Sequence, residues 1–434
     1  MRYEKVIRGG TVYNGSATFD ADVAIDHGTI AAIGTGLEAA EVVDASGKYV
    51  FPGAIDGHVH LQLPFCGTVS ADDFENGTKA AACGGVTTVI DFAIQTKGQP
   101  LMAAVEARRA EADPKVCVDY SLHVALTDWN ERVANEFRKV VIDHGIPTFK
   151  MFMIYKSQGW MANDAALYGA LELAAELGAT AHALSRPAVS EWEAVQRAVT
   201  WAEATGGRLY IVHTSTGRSA QLIGQARERG VNVYGETCPQ YLLLDDSVFE
   251  GERGHLYGTC PQIKKREDSA LLWEGLTKGW MHVLATDTCT FTTKQKALWG
   301  GDFWKIPFGL PGVETLAPLT YTHGPMAGRF SINRWVELVS ENPARLFGLY
   351  PRKGVIAPGS DADIVVWDDT RNVTITPSVL QTNCDFSPFE GFTTKGWPAM
   401  TFSRGRLVAR DGKFTGAVGA GEFLKRGTTK GIEN

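Results

Sequence analysis

Two rhythms of apolar and polar residues divide the chain. The first fifty residues alternate β-formers with Gly, Asn and Asp turns, as in KVIRGGTVYNG, ADVAIDHGTIAAIG and VVDASGKYVFPG. The same style returns near the other end in SDADIVVWDD, NVTITP and PAMTFSRGRLVARDGKF. Two strand-rich ends around one long middle predict a discontinuous small β-sandwich domain, residues 1–52 with 353–434, built where the termini meet.

The middle, residues 53–352, has another period. Apolar strand-like runs (AIDGHVHL, VTTVIDFA, YSLHVAL, TFKMFMIY, ATAHAL, RLYIVHT, NVYGETC, HVLATD) alternate with helical ones. GQPLMAAVEARRAEAD, NDAALYGALELAAELGA, SEWEAVQRAVTWAEATGG and TGRSAQLIGQARERG carry apolar residues at helical spacing and end on Gly or turn residues. Eight strands alternating with helices predict an α/β fold, a (β/α)8 TIM-like barrel. The competing doubly wound sheet lacks its Gly-rich GxGxxG turn after the first strand.

Composition narrows the function classes. Forty-two Lys+Arg against 49 Asp+Glu give a net charge of −7, with no basic face for nucleic acid and no polybasic membrane patch. No run of eighteen apolar residues occurs, and the opening MRYEKVIRGG has no apolar signal region. Seven cysteines, odd in number and without CxxC pairing, read as reduced thiols of a cytoplasmic protein.

A barrel of this type carries its chemistry at the C-terminal ends of its strands. Strand one ends in Asp56-Gly57-His58-Val59-His60, and two histidines two apart on a strand face the same way, so both imidazoles reach one cation. Lys150 interrupts the apolar strand-four run Thr148-Phe149-Lys150-Met151-Phe152-Met153, where desolvation favours a neutral, reactive amine. Strand five offers His182, strand six ends in His213, and strand eight in Asp287. Any one of these is more often packing than chemistry. Together, on separate strand ends, they predict a metal site. Tyr155, at the strand-four exit, is placed to donate to a developing oxyanion. His27, His123, His144, His255, His282 and His323 are read as turn, loop or core residues.

These motifs carry a resemblance. PGAIDGHVHLQLPF, FKMFMIYK, YIVHTST, GETCPQYLLLD, ATDTCTF, KIPFGLPGVE and ENPARLFGLYPRKGVIAPGSDADIVVWD are similar to those of the dihydropyrimidinase/D-hydantoinase family of cyclic amidohydrolases, over nearly the whole chain. The resemblance implies two divalent metal ions, zinc by default with Mn, Co or Ni as alternatives. His58 and His60 would hold one, His182 and His213 the other; Lys150, carboxylated on its amine, would bridge them. Asp287 would be both ligand and proton carrier, and Tyr155 would polarise the scissile carbonyl. The reaction implied is hydrolysis of a hydantoin or dihydropyrimidine ring amide to an N-carbamoyl amino acid. The partner is a small cyclic amide or ureide, with neither nucleic acid nor membrane, and the assembly a homodimer or homotetramer. A non-catalytic assembly or scaffold relative is the alternative.

The departures matter too. Where the family reads His-Ala-Glu-Asn-Gly-Asp, a helical excursion and then His-Ala-Leu-Ser-Arg-Pro, this chain has only His182-Ala183-Leu184-Ser185-Arg186-Pro187. His182 is then either the ligand or the downstream histidine brought to its place; by element order it stands where a ligand should. Cys260 replaces a usual Ser and Phe308 a usual Asn in substrate-contact segments. With Leu63, Phe65, Phe152 and Tyr155, and with Trp160 and Met161 nearby, these predict an apolar lining that favours 5-substituted hydantoins.

Overall fold

The computed structural model describes residues 2–153, 155, 159–183, 188–302, 305–428 and 431–432, with only the backbone of 181–183. Among them, eight parallel strands make one curled sheet in sequence order: β1 Ala54–Asp56, β2 Val86–Ile94, β3 Asp119–Ala125, β4 Thr148–Lys150, β5 Thr180–Ala183, β6 Arg208–Ile211, β7 Val233–Thr237 and β8 Val283–Leu284. Just past the ends of β1 and β8, Val59 and Thr288 form a parallel bridge, and the His60 N–H donates to the Thr288 carbonyl at 2.8 Å. The sheet is therefore of TIM-barrel type, its first and last strands brought together.

Helices follow the strands: α1 Phe74–Cys83, α2 Leu101–Ala112, α3 Glu131–Ile142, α4 Asp164–Leu177, α5 Ala188–Thr205, α6 Gly217–Glu228, α7 Arg266–Lys278 and α8 Leu316–His323. Their ends follow from local chemistry. Asn130 and Asn163 accept the N–H groups of Val133 and Ala166 at the starts of α3 and α4, and Gly178 ends α4 in the left-handed region at φ 64°. In α3 the apolar residues Val133, Phe137, Val140 and Val141 fall on one buried face, and Phe137 packs edge-on against Phe149 of β4 at 5.0 Å. Burial of a Phe side chain contributes about 1.5–3 kcal/mol, so this face seats the helix without help from its polar side. No described helix is long and apolar enough to cross a membrane.

Each of the eight strand-like runs of the sequence holds one strand; β4 keeps Lys150 in the ladder, but β1, β6 and β8 stop short of His58, His213 and Asp287. The backbone leaves the ladder there. His213 has φ 36° and Asp287 φ 54°, in the left-handed region that non-glycine residues seldom enter.

Strands from the two ends of the chain pair directly. Ile364–Thr374 lies antiparallel to Tyr49–Pro52 at the centre of a seven-stranded mixed sheet, with Ile364 opposite Pro52. A second sheet, of Arg2–Arg8, Asp22–Asp26, Thr29–Gly34 and Glu38–Asp44, shares a core with it through Ile7, Val23, Ile25, Val50, Ile364, Val366 and Phe402. The C-terminal segment runs across the N-terminal end of the parallel sheet. Leu424 N–H donates to the Tyr120 carbonyl at 2.7 Å, and buried Arg426 donates to Ser121 Oγ at 2.8 Å and Thr148 Oγ1 at 2.7 Å. Lys353, also buried, reaches Asp119 Oδ2 at 2.6 Å and Asp363 Oδ2 at 2.7 Å, tying β3 to the mixed sheet.

Candidate active site and metal centre

At the other end of the sheet, where β1 and β8 run out, Asp56 knots the two strands. Its carboxylate accepts the Thr286 hydroxyl at 2.5 Å and the N–H groups of His58 and Thr286 at 3.2 Å each. That fixes His58, His60 and Asp287 relative to one another. His58 Nε2 lies 3.2 Å, and His60 Nε2 3.5 Å, from Asp287 Oδ1, and one donor atom from each of the three residues falls within 4.8 Å of the others. Lys150 Nζ lies 3.1 Å from His58 Nε2. The imidazole of His213 comes within 5.3 Å of that of His58, ring centre to ring centre. Beneath them the Phe92 ring stacks on His60 at 4.7 Å and carries the Lys150 amine 4.5 Å above its face.

Burial sets the protonation of these groups. It pushes the Lys150 amine below its ordinary value, against the pull of Asp287 and Glu236. It likewise lowers His60, and takes His213 down to about 3. Burial alone would raise Asp287, but the His60 hydrogen bond and the charges of His213, His60 and Lys150 outweigh it and hold the carboxyl below its usual range. At neutral pH the imidazoles of His60 and His213 are thus unprotonated and the Asp287 carboxylate ionised, the forms that bind a cation.

The donor set fits divalent metal. Neither ring nitrogen of buried His213 has a hydrogen-bond partner among the described residues, a costly arrangement for an imidazole with no other employment. His58, by contrast, has its second nitrogen fixed: Nδ1 lies 3.0 Å from Glu236 Oε1, which leaves Nε2 turned towards Asp287 and Lys150. A carboxylate behind a ligand histidine is the usual way in which a metal site sets the tautomer. His182 lies on β5 with its backbone in register between Lys150 and Tyr210; its side chain falls outside the described residues.

Glu236 was not singled out in the sequence. On β7 it accepts the His213 N–H at 2.9 Å and the Tyr210 hydroxyl at 2.8 Å, while burial pushes its carboxyl up to about 8. The signal was present, since VYGET places a carboxylate in an apolar strand just as TFKMF places an amine. A second support also lies outside the motifs. Asp91 accepts the Leu61 N–H at 2.8 Å and is held by Arg108 of α2, which donates to the Leu61 carbonyl as well. The residue after His60 is thereby clamped on both sides.

The residues marked for substrate contact line one cavity with the site. His60, Lys150, His213 and Asp287 face Leu63, Phe65, Phe152, Tyr155, Cys260 and Phe308, with Trp160 beside Phe152 at 5.3 Å. Tyr155, at φ 66°, packs edge-on against both Phe152 and Trp160. Gly309 closes the far wall, where a Cβ would stand 2.2 Å from the Cys289 carbonyl oxygen. Other histidines lie elsewhere. His123 is buried between Thr148 Oγ1 and the Gly57 carbonyl, and His282 accepts the Gly235 N–H at 3.2 Å.

This constellation on a TIM-barrel-type sheet is a donor set that could hold a divalent ion beside a cavity. Residues 49–408 match the amidohydrolase family, and the chain belongs to it. It is 41% identical to a D-hydantoinase of Geobacillus stearothermophilus, over 97% of this chain and 96% of the relative, and 39% identical to a dihydropyrimidinase of Rattus norvegicus, over 97% and 88%. Among solved structures, a dihydropyrimidinase from Brevibacillus agri superposes with a TM-score of 0.96 at 39% identity, covering 98% of this chain and 99% of that one.

Proposed function

We propose that this chain is a cyclic amidohydrolase that opens the ring amide of hydantoins and dihydropyrimidines to N-carbamoyl amino acids. The observation that carries this reading is the meeting of His58, His60, Lys150, His213 and Asp287 at one end of the cavity that Tyr155 and Phe152 line. A scaffold protein without catalysis would have no use for a buried imidazole at His213 that has no hydrogen-bond partner among the described residues.

His58, His60 and Asp287 would hold one divalent ion, and His182 with His213 the second. Lys150, carboxylated on Nζ, would bridge them, because an ammonium has no electron pair to offer and neutral imidazoles with one aspartate offset two cations poorly. Two such ions, zinc by default, supply water activation and charge stabilisation when bound. The residues then divide the work. Asp287 takes a proton from the attacking water and hands it to the ring nitrogen as the C–N bond breaks. The Tyr155 hydroxyl donates to the carbonyl oxygen as charge develops there. The Cys260 and Phe308 segments grip the ring, while Leu63, Phe65 and Phe152 receive its substituent.

The same reading takes the parallel sheet as a closed (β/α)8 barrel of residues 53–352, with residues 1–52 and 353–434 as a β-sandwich domain. It takes the protein as a cytoplasmic homodimer or homotetramer, for which the support is its reduced cysteines and the commonness of closed symmetric assemblies. Light scattering at the mass of a single chain would contradict the assembly. Turnover of dihydrouracil and of phenylhydantoin, measured beside metal content, tests the function. Loss of turnover with chelator and its return with metal are expected, and a metal-loaded protein inert on both substrates would defeat the reading.

A further inference from the structure

Glu191 sits in the first turn of α5, only 4% exposed, facing no part of the substrate cavity. Among the described residues its carboxylate accepts four hydrogen bonds, all from the two residues that follow His213-Thr214. Oε1 accepts the Ser215 N–H at 3.1 Å, the Thr216 N–H at 2.9 Å and the Thr216 hydroxyl at 2.9 Å; Oε2 accepts the Ser215 hydroxyl. Upstream, Glu236 takes the N–H of His213, and the Glu236 carbonyl takes that of Thr214. Consecutive N–H groups from His213 to Thr216 are therefore held from two sides, by a strand and by a helix. This is the stretch in which His213 is kept at φ 36°. A non-glycine residue in that region is strained and persists only where its surroundings over-determine it. Glu191 is half of those surroundings.

The helix matters as much as the carboxylate. Helix α5 is the element into which β5 leads, and β5 carries His182. The strand that offers one ligand to the second ion thus runs into the helix that fixes the loop of the other. We infer that Glu191 is a positioning residue for the second metal: it touches neither ion nor substrate, and sets the His213 imidazole by clamping the main chain behind it. This rests on the metal reading above. A simpler role exists, because Thr216 is the N-cap of α6, its side chain accepting the Ser219 N–H, and a nearby carboxylate favours any helix start. That role alone would be felt in stability and not in metal affinity.

The experiment is chelator competition for successive cobalt ions on the full chain, with the visible spectrum of the loaded protein and its unfolding temperature recorded together. Glu191→Ala should bind the first ion within about threefold of wild type and the second at least about tenfold more weakly, in the range seen when support behind a metal ligand is removed. Glu191→Gln, which keeps an acceptor at Oε1 without the charge, should restore the second site to within about threefold. Overturning results are a folded Glu191→Ala that binds both ions like wild type, or a Gln variant as weak as the Ala one. Should Glu191→Ala not fold, Ser215→Ala removes one donor and leaves the carboxylate; there a weakened second ion supports the inference and an unchanged one overturns it. A wild-type protein that takes up no cobalt would instead fail the metal reading itself, and the inference with it.

Discussion

Lys150 Nζ stands 3.1 Å from His58 Nε2, with both residues buried. A charged ammonium is disfavoured there by burial, and the neutral amine is the form that reacts with carbon dioxide to give a carbamate. Lys150→Ala should therefore lose bound metal and turnover together, with short carboxylic acids in the buffer restoring part of both. Full activity in that variant without any additive would falsify a carboxylated lysine.

Glu236 supports two ligands from one carboxylate, at the His58 ring and at the His213 main chain. Removing it leaves the His58 tautomer unset. Glu236→Ala is expected to weaken metal binding by about 10–100-fold, measured by equilibrium competition, while Glu236→Gln retains an intermediate affinity. Equal affinity in all three proteins would remove Glu236 from the account.

A pH prediction comes from His282, which lies away from the metal ligands. Burial, then the charges of Arg227 and Arg334, take its imidazole down to about 3. Unfolded, it titrates near 6.5. Stability that depends on a neutral His282 is thus fully present above about pH 6.5 and is lost as pH falls from there towards about 3. His282→Asn keeps an acceptor for the Gly235 N–H and cannot take up a proton. Denaturant unfolding at pH 7.5 and 5 should show a smaller loss of stability in the variant, by about 1 kcal/mol or more, since each pKa unit is worth about 1.4 kcal/mol. Parallel losses in both proteins would contradict this.

The cavity wall of Leu63, Phe65, Phe152 and Trp160 bears on substrate choice. A bulky group at ring carbon 5 buries area there at about 25 cal/mol per Å². An aryl or alkyl hydantoin is expected to show a higher kcat/KM than dihydrouracil, and Phe152→Ala to narrow the gap. A tenfold preference for dihydrouracil, about 1.4 kcal/mol in transition-state binding, would mean that the wall packs the mouth without selecting the ring.

What the sequence made legible was what chemistry places against the grain of a pattern. An HVH at a strand end, a lysine within TFKMF and a lone aspartate after HVLAT stand out because apolar strands rarely carry them. Helix limits were legible at Asn163 and Gly178, where cap chemistry is local. The early exits of β6 and β8 were not, because a left-handed backbone at His213 or Asp287 leaves no mark in composition. Nor were Glu191 and Arg108, whose neighbours in space are distant in sequence. Nor was the burial of Arg426 in the C-terminal segment, since its acceptors lie on β3 and β4, some three hundred residues away.

The pairing of Ile364 with Pro52 has a bearing on variation in length. Everything between those residues, roughly 300 of them, is a single excursion whose two ends are pinned side by side, and the entropy of closing such a loop grows only as the logarithm of its size, about 0.6 kcal/mol per doubling. Adding or removing a few tens of residues within the excursion changes that closure term by less than about 0.1 kcal/mol. A connection such as that between β5 and α5 can then be cut to a few residues with almost no penalty in chain closure. What limits such changes is local: whether the shortened link still delivers His182 and Glu191 to the places from which they act.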